Sequence, residues 1–143
     1  MTTPTDDQLT KLGATLEIFS RRYKLAEALG AEKPINELDK QVLFFVARHP
    51  GCGPSDIARF LAVPATTTTS ATDRLVKRGL LERQRPEQDR RAIALHLTDA
   101  GTARVAAFLS VYRDLHLRML APLSTSEREV LIGLMEKIVS NEH

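Results

Sequence analysis

Thr66, Thr67, Thr68, Thr69, Ser70 and Thr72 form a run of short hydroxyls broken once, by Ala71. Hydroxyls of this size can bond phosphates or base edges, and a threonine methyl can lie against a thymine methyl. If the run is helical, Thr68, Thr72 and Leu75 share one face at i, i+4, i+7 and should pack inward. Thr66, Thr67, Thr69, Ser70 and Arg74 then fall on other faces, as candidate nucleic-acid contacts or as an ordinary solvated surface. A second cluster is Asp89-Arg90-Arg91. A guanidinium suits phosphate oxygens or a narrow, electronegative groove. Asp89 cannot favourably face phosphate, so it is expected to hold a neighbouring arginine, Arg74 or Arg91, by a charge-assisted hydrogen bond.

Placing these side chains requires particular elements. From Gly53, a short helical pattern carries Ile57, Ala58, Phe60 and Leu61, with Pro54 and Asp56 suited to its first turn. Ala62-Val63-Pro64 breaks it, and a second helix is expected from about Pro64 to Arg78, stopped by Gly79. β-Branched residues are mediocre helix formers, so packing must hold this helix. Leu81, Arg83 and Arg85 then alternate with Leu80, Glu82 and Gln84, while Ile93, Leu95 and Leu97 alternate with Ala94 and His96. Two half-buried strands are predicted, joined by the polar loop Pro86 to Arg91. Helix, turn, helix, strand, loop, strand is the order of a winged helix-turn-helix, which lays its second helix in a major groove.

Asp73-Arg74-Leu75, Gly79-Leu80-Leu81-Glu82-Arg83, Asp89-Arg90-Arg91 and Leu97-Thr98-Asp99-Ala100-Gly101 together closely resemble the MarR family of bacterial transcriptional regulators. The helices on either side fit as well, so the resemblance covers nearly the whole chain. It implies a homodimer built from the first, fifth and sixth helices and bound to double-stranded DNA, more as repressor than activator. It also implies release by a small aromatic or phenolic anion, and Arg91 as the minor-groove arginine, leaving Arg90 for backbone phosphate. The Thr-rich helix departs from the family in lacking a long basic side chain near its middle, which shifts readout toward hydroxyls, methyls and DNA shape.

The fold class expected is mainly α with a small two-stranded β wing: a winged helix-turn-helix flanked by long N- and C-terminal dimerisation helices. Residues 1–35 would form the N-terminal dimerisation helix, 36–98 the DNA-binding region and 99–143 the C-terminal dimerisation helices, in one compact domain. Leu9, Leu12, Leu16, Phe19, Tyr23 and Ala26 alternate by three and four along a helix from about Asp6 to Leu29. Val105, Phe108, Tyr112, Leu115 and Met119 do the same from Asp99 to Leu120. Asn36 is a plausible N-cap for a helix from Glu37 to Arg48, and Ser124 to Glu127 reads as a capping box for a last helix to Ser140. Phe44 and Phe45 are adjacent and cannot face the same way. The end helices carry more apolar surface than a small winged module covers, which favours a two-fold dimer over a monomeric helical layer.

The 143 residues carry 20 basic and 18 acidic side chains, a net +2, but the charge is segregated. Arg74 to Arg91 holds seven basic residues against three acidic, a surplus of four, so the rest of the chain is negative. Local positive charge is the footprint of a polyanion partner. The single cysteine, Cys52, rules out an intrachain disulfide and fits a cytoplasmic protein. Lying between two helices, it reads as a small turn residue rather than a redox sensor. The polar start lacks signal-peptide features, and no apolar run suits a membrane span. His49, His96, His116 and His143 show no metal-ligand spacing, no phosphate loop is present, and neither a cofactor nor enzymatic activity is expected. His96 should face outward from its strand. Phe19, Tyr23, Phe44 and Tyr112 are candidate ligand-pocket residues or ordinary core aromatics. The alternative function is a winged-helix protein-interaction module without specific DNA binding.

Overall fold

The computed structural model describes residues 2–30, 33–88 and 92–141. Its elements are α1 (Asp6–Gly30), α2 (Glu37–Arg48), α3 (Pro54–Leu61), α4 (Ala65–Lys77), β1 (Leu81–Gln84), β2 (Ala94–Leu97), α5 (Asp99–Leu120) and α6 (Thr125–Ser140). The chain is mainly helical with one two-stranded antiparallel sheet, as the sequence implies. It forms two compact units, one of residues 30–109 and one of 1–29 with 110–143.

In the 30–109 unit the local signals do what their chemistry predicts. Asn36 caps α2, its Oδ1 accepting from the Asp39 amide at 2.8 Å. Pro54 opens α3, and the Asp56 carboxylate accepts from the Gly53 amide at 2.9 Å. Ala62 ends α3 in the left-handed region, φ 56°, which is uncommon for a residue with a Cβ. Gly79 ends α4 at φ +75°, where glycine adopts the conformation without steric cost.

The core of this unit joins Val42, Leu43 and Val46 of α2 to Ile57 of α3, Ala71 and Leu75 of α4, and Leu81 and Leu95 of the strands. Phe44 and Phe45 do turn opposite ways: the ring of Phe44 lies 5.9 Å from Phe108, that of Phe45 4.8 Å from Phe60. Asp39 sits in the same apolar stripe of α2, 2% exposed. Its two oxygens accept from Arg74 Nε at 3.0 Å and Nη2 at 2.7 Å, a bidentate pair that fastens α4 to α2. This hydrogen bonding pushes the Arg74 pKa further above its ordinary high value.

The sheet departs from simple alternation. Leu81 pairs with Leu97 and Arg83 with Leu95, but only Leu81 is buried on β1, because its face continues as Arg83 and Arg85. Beyond the expected pair, Cys52 bridges Leu95: the Gly51 amide donates to Leu95 O and the Leu95 amide to Cys52 O, each at 2.8 Å. Cys52 is thus a backbone partner of the sheet as well as a small buried side chain, and burial followed by the nearby Asp56 charge pushes its thiol pKa up. His96 is half-buried rather than open, its ring standing beside Gly51, where an added Cβ would lie 3.7 Å from Cε1.

The Leu97-to-Gly101 stretch locks the sheet to α5. Thr98 Oγ1 donates to Gly79 O at 2.6 Å and accepts from the Gly101 amide at 3.0 Å. A Cβ on Gly101 would fall 2.0 Å from the Leu80 carbonyl oxygen, so the helix start needs glycine for close approach.

In the 1–29/110–143 unit, Tyr23 meets α5 through two ring contacts, 5.6 Å to Tyr112 and 5.8 Å to His116. The Tyr23 hydroxyl hydrogen-bonds His116 Nε2, and the Tyr112 hydroxyl donates to Glu27 Oε1. The capping box of α6 forms, with Glu127 accepting from the Ser124 amide at 2.9 Å, and this bond holds the Glu127 carboxyl below its usual range. No residue of α6 is buried, and Leu9, Leu12 and Leu16 of α1 are each more than half exposed. No helix among the described residues is long and apolar enough to cross a membrane.

Two stability outcomes follow from these contacts. Alanine is the better helix former by about 0.8–1.0 kcal/mol, yet Gly101→Ala should destabilise by about 1–3 kcal/mol because backbone must move; thermal melting checks the sign. For the α2–α4 pair, Arg74→Met should lower Tm more than Asp39→Asn. The first strands a carboxylate whose side chain is only 4% exposed, whereas the second frees a guanidinium that is 46% exposed and can return to water. Equal losses in paired melting curves would contradict the assignment.

Candidate nucleic-acid interface

Helix α4 separates its hydroxyls by burial. Thr68 and Thr72 are buried at 0% and 1% exposure, beside Ala71 and Leu75. Thr72 Oγ1 donates to Thr68 O at 2.8 Å and Thr68 Oγ1 to Pro64 O at 3.5 Å. Bonding to the carbonyl four residues back lets a buried threonine satisfy its donor without leaving the helix. Thr66, Thr69 and Ser70 are exposed on the outer side, and Thr67 is half-buried. The Thr69 hydroxyl also donates inward, to Ala65 O at 3.0 Å.

Beside this outer face runs a cleft of about 280 Å³, lined by Pro54, Thr69, Thr72, Arg83, Arg85 and Ile93. Arg83 is ion-paired with Asp73 of α4, which ties the first wing strand to the helix one turn beyond Thr69. The cleft therefore combines an exposed hydroxyl with two guanidinium-bearing side chains from β1 and its end. Asp89, Arg90 and Arg91, expected at the tip of the wing, lie outside the described residues.

The charge surplus is not all available to a partner. Arg74 is engaged by Asp39 and Arg83 by Asp73. Arg78 donates from Nη1 to Pro34 O at 3.0 Å and from Nη2 to Lys33 O at 3.2 Å, and Arg104 donates to Lys33 O as well. Three of the cations that make the segment basic in sequence thus hold the module together. Asp39 is the functional neighbour that the sequence reading missed; an acid within an apolar helical stripe, three residues before Val42, was its available signal.

The aromatic candidates divide between the units. Phe19 and Tyr23 line a cavity of about 330 Å³ in the 1–29/110–143 unit, with Ala26, Leu115 and Met119 as apolar walls and Arg22 and Arg118 as flanking cations. Burial pushes the Tyr23 pKa up. Tyr112 meets Tyr23 in a tilted ring contact in the same unit, while Phe44 belongs to the 30–109 unit and is buried against Phe108. Among the described residues no group of three or more histidines, cysteines or acids could hold a metal ion.

Comparison with known proteins agrees with this architecture. The family model described as MarR family matches residues 34–92, the span from just before the α2 cap to the residues preceding β2. The HTH-type transcriptional regulator PecS of Dickeya dadantii (strain 3937) is 34% identical over 91 residues, which are 62% of this chain and 55% of PecS, so the chain spans about half the length of that relative. A crystal structure of a probable transcriptional regulator from Pseudomonas aeruginosa superposes with TM-score 0.64 at 30% identity, covering 88% of this chain and 95% of that one. The Streptococcus pneumoniae FabT structure, solved in complex with DNA, shares the fold at TM-score 0.81 and 24% identity, over 92% of this chain and 95% of its own. Residues 34–92, the segment that carries the hydroxyl face, its arginine pairs and the first wing strand, match the MarR family, and the chain as a whole is similar to a probable transcriptional regulator.

Proposed function

We propose that this protein is a DNA-binding repressor that acts as a homodimer on a palindromic operator and is released by a small aromatic or phenolic anion. The observation that carries the reading is the two-sided α4: its inner hydroxyls are buried and internally bonded, and Thr66, Thr69 and Ser70 are exposed on the other side, Thr69 beside Arg83 and Arg85. An α-helix fits the major groove, where hydroxyls meet base edges and phosphates. Thr66, Thr67, Thr69 and Ser70 are the proposed groove contacts. Arg74 supports them by fixing α4 on α2, a role that accounts for both of its Asp39 hydrogen bonds. Arg91 is assigned to the minor groove, Arg90 to phosphate and Asp89 to holding the wing. FabT, alike in fold, was crystallised on DNA, which favours the same use here.

Dimerisation is favoured by uncovered apolar surface. Leu9, Leu12 and Leu16 of α1 and Val130, Leu134 and Ile138 of α6 are 55–63% exposed within one chain. A second copy would bury such stripes, and burial is worth roughly 25 cal/mol per Å² of apolar area. A dimer also gives two recognition helices spaced for successive major grooves. The anionic effector is assigned to the Phe19/Tyr23 cavity, whose apolar walls suit an aromatic ring and whose Arg22 and Arg118 suit its charge. It would act by favouring a dimer whose recognition helices no longer match the groove spacing.

Light scattering should give about twice the chain mass of 15.9 kDa. Titrating the same sample with the DNA upstream of its own gene and with random duplex, across salt, should give a large preference for the upstream site. Arg90→Ala should reduce the salt slope by roughly one unit per lost phosphate contact on both duplexes. Arg91→Ala should weaken the upstream site selectively. Equal affinity for both duplexes, with neither wing change altering it, would instead favour a protein-interaction module.

A further inference from the structure

On the exposed face of α4, Thr69 differs from its neighbours in the state of its hydroxyl. A hydroxyl has one proton to donate and two lone pairs to offer. The Thr69 proton is already directed at Ala65 O, 3.0 Å away within the helix. The side chain is nevertheless exposed, with its outward surface in the cleft beside Arg83 and Arg85. It therefore presents lone pairs and a methyl to anything approaching, and no proton. The inward bond is the same one made by buried Thr72 to Thr68 O at 2.8 Å, so it belongs to the way this helix accommodates successive β-branched hydroxyls.

That polarity carries information in a major groove. Base edges there present acceptors from guanine (N7 and O6), adenine (N7) and thymine (O4), and amino donors only from adenine N6 and cytosine N4. An acceptor-only hydroxyl is repelled by those lone pairs and can pair only with an amino proton, that of adenine N6 or cytosine N4. We propose that Thr69 is a specificity residue that selects an exocyclic amino group, adenine N6 or cytosine N4, at one position of each operator half-site, while its methyl favours an adjacent thymine. The inference rests on the DNA-binding reading above and adds the class of base that this residue recognises.

The test is selection from a random duplex library with the wild-type protein, Thr69→Val and Thr69→Ser, all checked for unchanged melting. Wild type should enrich A or C on one and the same strand, read toward the operator dyad, at one position per half-site. Thr69→Val, which keeps the shape but has no lone pair, should lose that preference and bind the wild-type consensus roughly 2- to 12-fold more weakly, the loss of one hydrogen bond. Thr69→Ser should keep the amino preference and lose the thymine beside it. On the consensus, replacing the contacted base by its analogue without the amino group (purine for adenine, 2-pyrimidinone for cytosine) should weaken wild type and leave Thr69→Val unchanged. Unchanged wild-type affinity when the amino group at the Thr69-dependent pair is removed, or identical profiles for wild type and Thr69→Val, overturns the proposal with DNA binding intact. If wild type enriches no sequence at all, the DNA-binding reading fails and this inference with it.

Discussion

Internal satisfaction of the hydroxyls of α4 is the constraint on which the rest of the module depends. A helix with four consecutive threonines has weak intrinsic propensity and must be held by its surroundings. Thr68 and Thr72 enter the core because each returns its proton to a carbonyl of the same helix, leaving no buried side-chain polar atom without a partner among the described residues. With the inner face closed in this way, Ala71 and Leu75 can pack on α2 and α3, and the outer hydroxyls are displayed on a helix fixed from behind.

The arginines complete that fixation. Arg74 binds Asp39 on α2, Arg78 binds the carbonyls of Lys33 and Pro34, and Arg83 binds Asp73. These bonds anchor α4 along its last turns and C-cap and carry the first wing strand on it. A guanidinium suits the task because its planar fork makes two hydrogen bonds in one geometry and stays charged at any physiological pH. Much of the positive charge that marks the segment in sequence therefore acts on the protein itself. The exposed hydroxyls remain to address a partner.

The parts of this arrangement that are local in sequence were legible in it. Asn36, the Pro54 start, Gly79 and the Ser124 box set helix ends because each acts on backbone groups within a few residues. The i, i+4, i+7 spacing separated buried Thr68, Thr72 and Leu75 from exposed Thr66, Thr69 and Ser70. Long-range pairs left no such trace. Asp39 and Arg74 stand 35 positions apart, and the bridge from Cys52 to Leu95 joins a turn to a strand without any alternation around the cysteine. The period-two signal overstated the burial of β1, since alternation records which residues share a face and not whether that face is covered. The candidate ligand aromatics illustrate the same limit: Phe19, Tyr23 and Tyr112 lie in one unit, and Phe44 in the core of the other.

The central claim, that α4 keeps one threonine face for its own core and offers the other to DNA, is tested most directly by threonine methyl resonances during titration with the upstream duplex. The account predicts that the methyls of Thr66 and Thr69 shift strongly, while those of Thr68 and Thr72, sealed against α2 and α3, change little. Strong shifts at Thr68 and Thr72 with Thr66 and Thr69 unmoved would show that the helix does not meet DNA with this face.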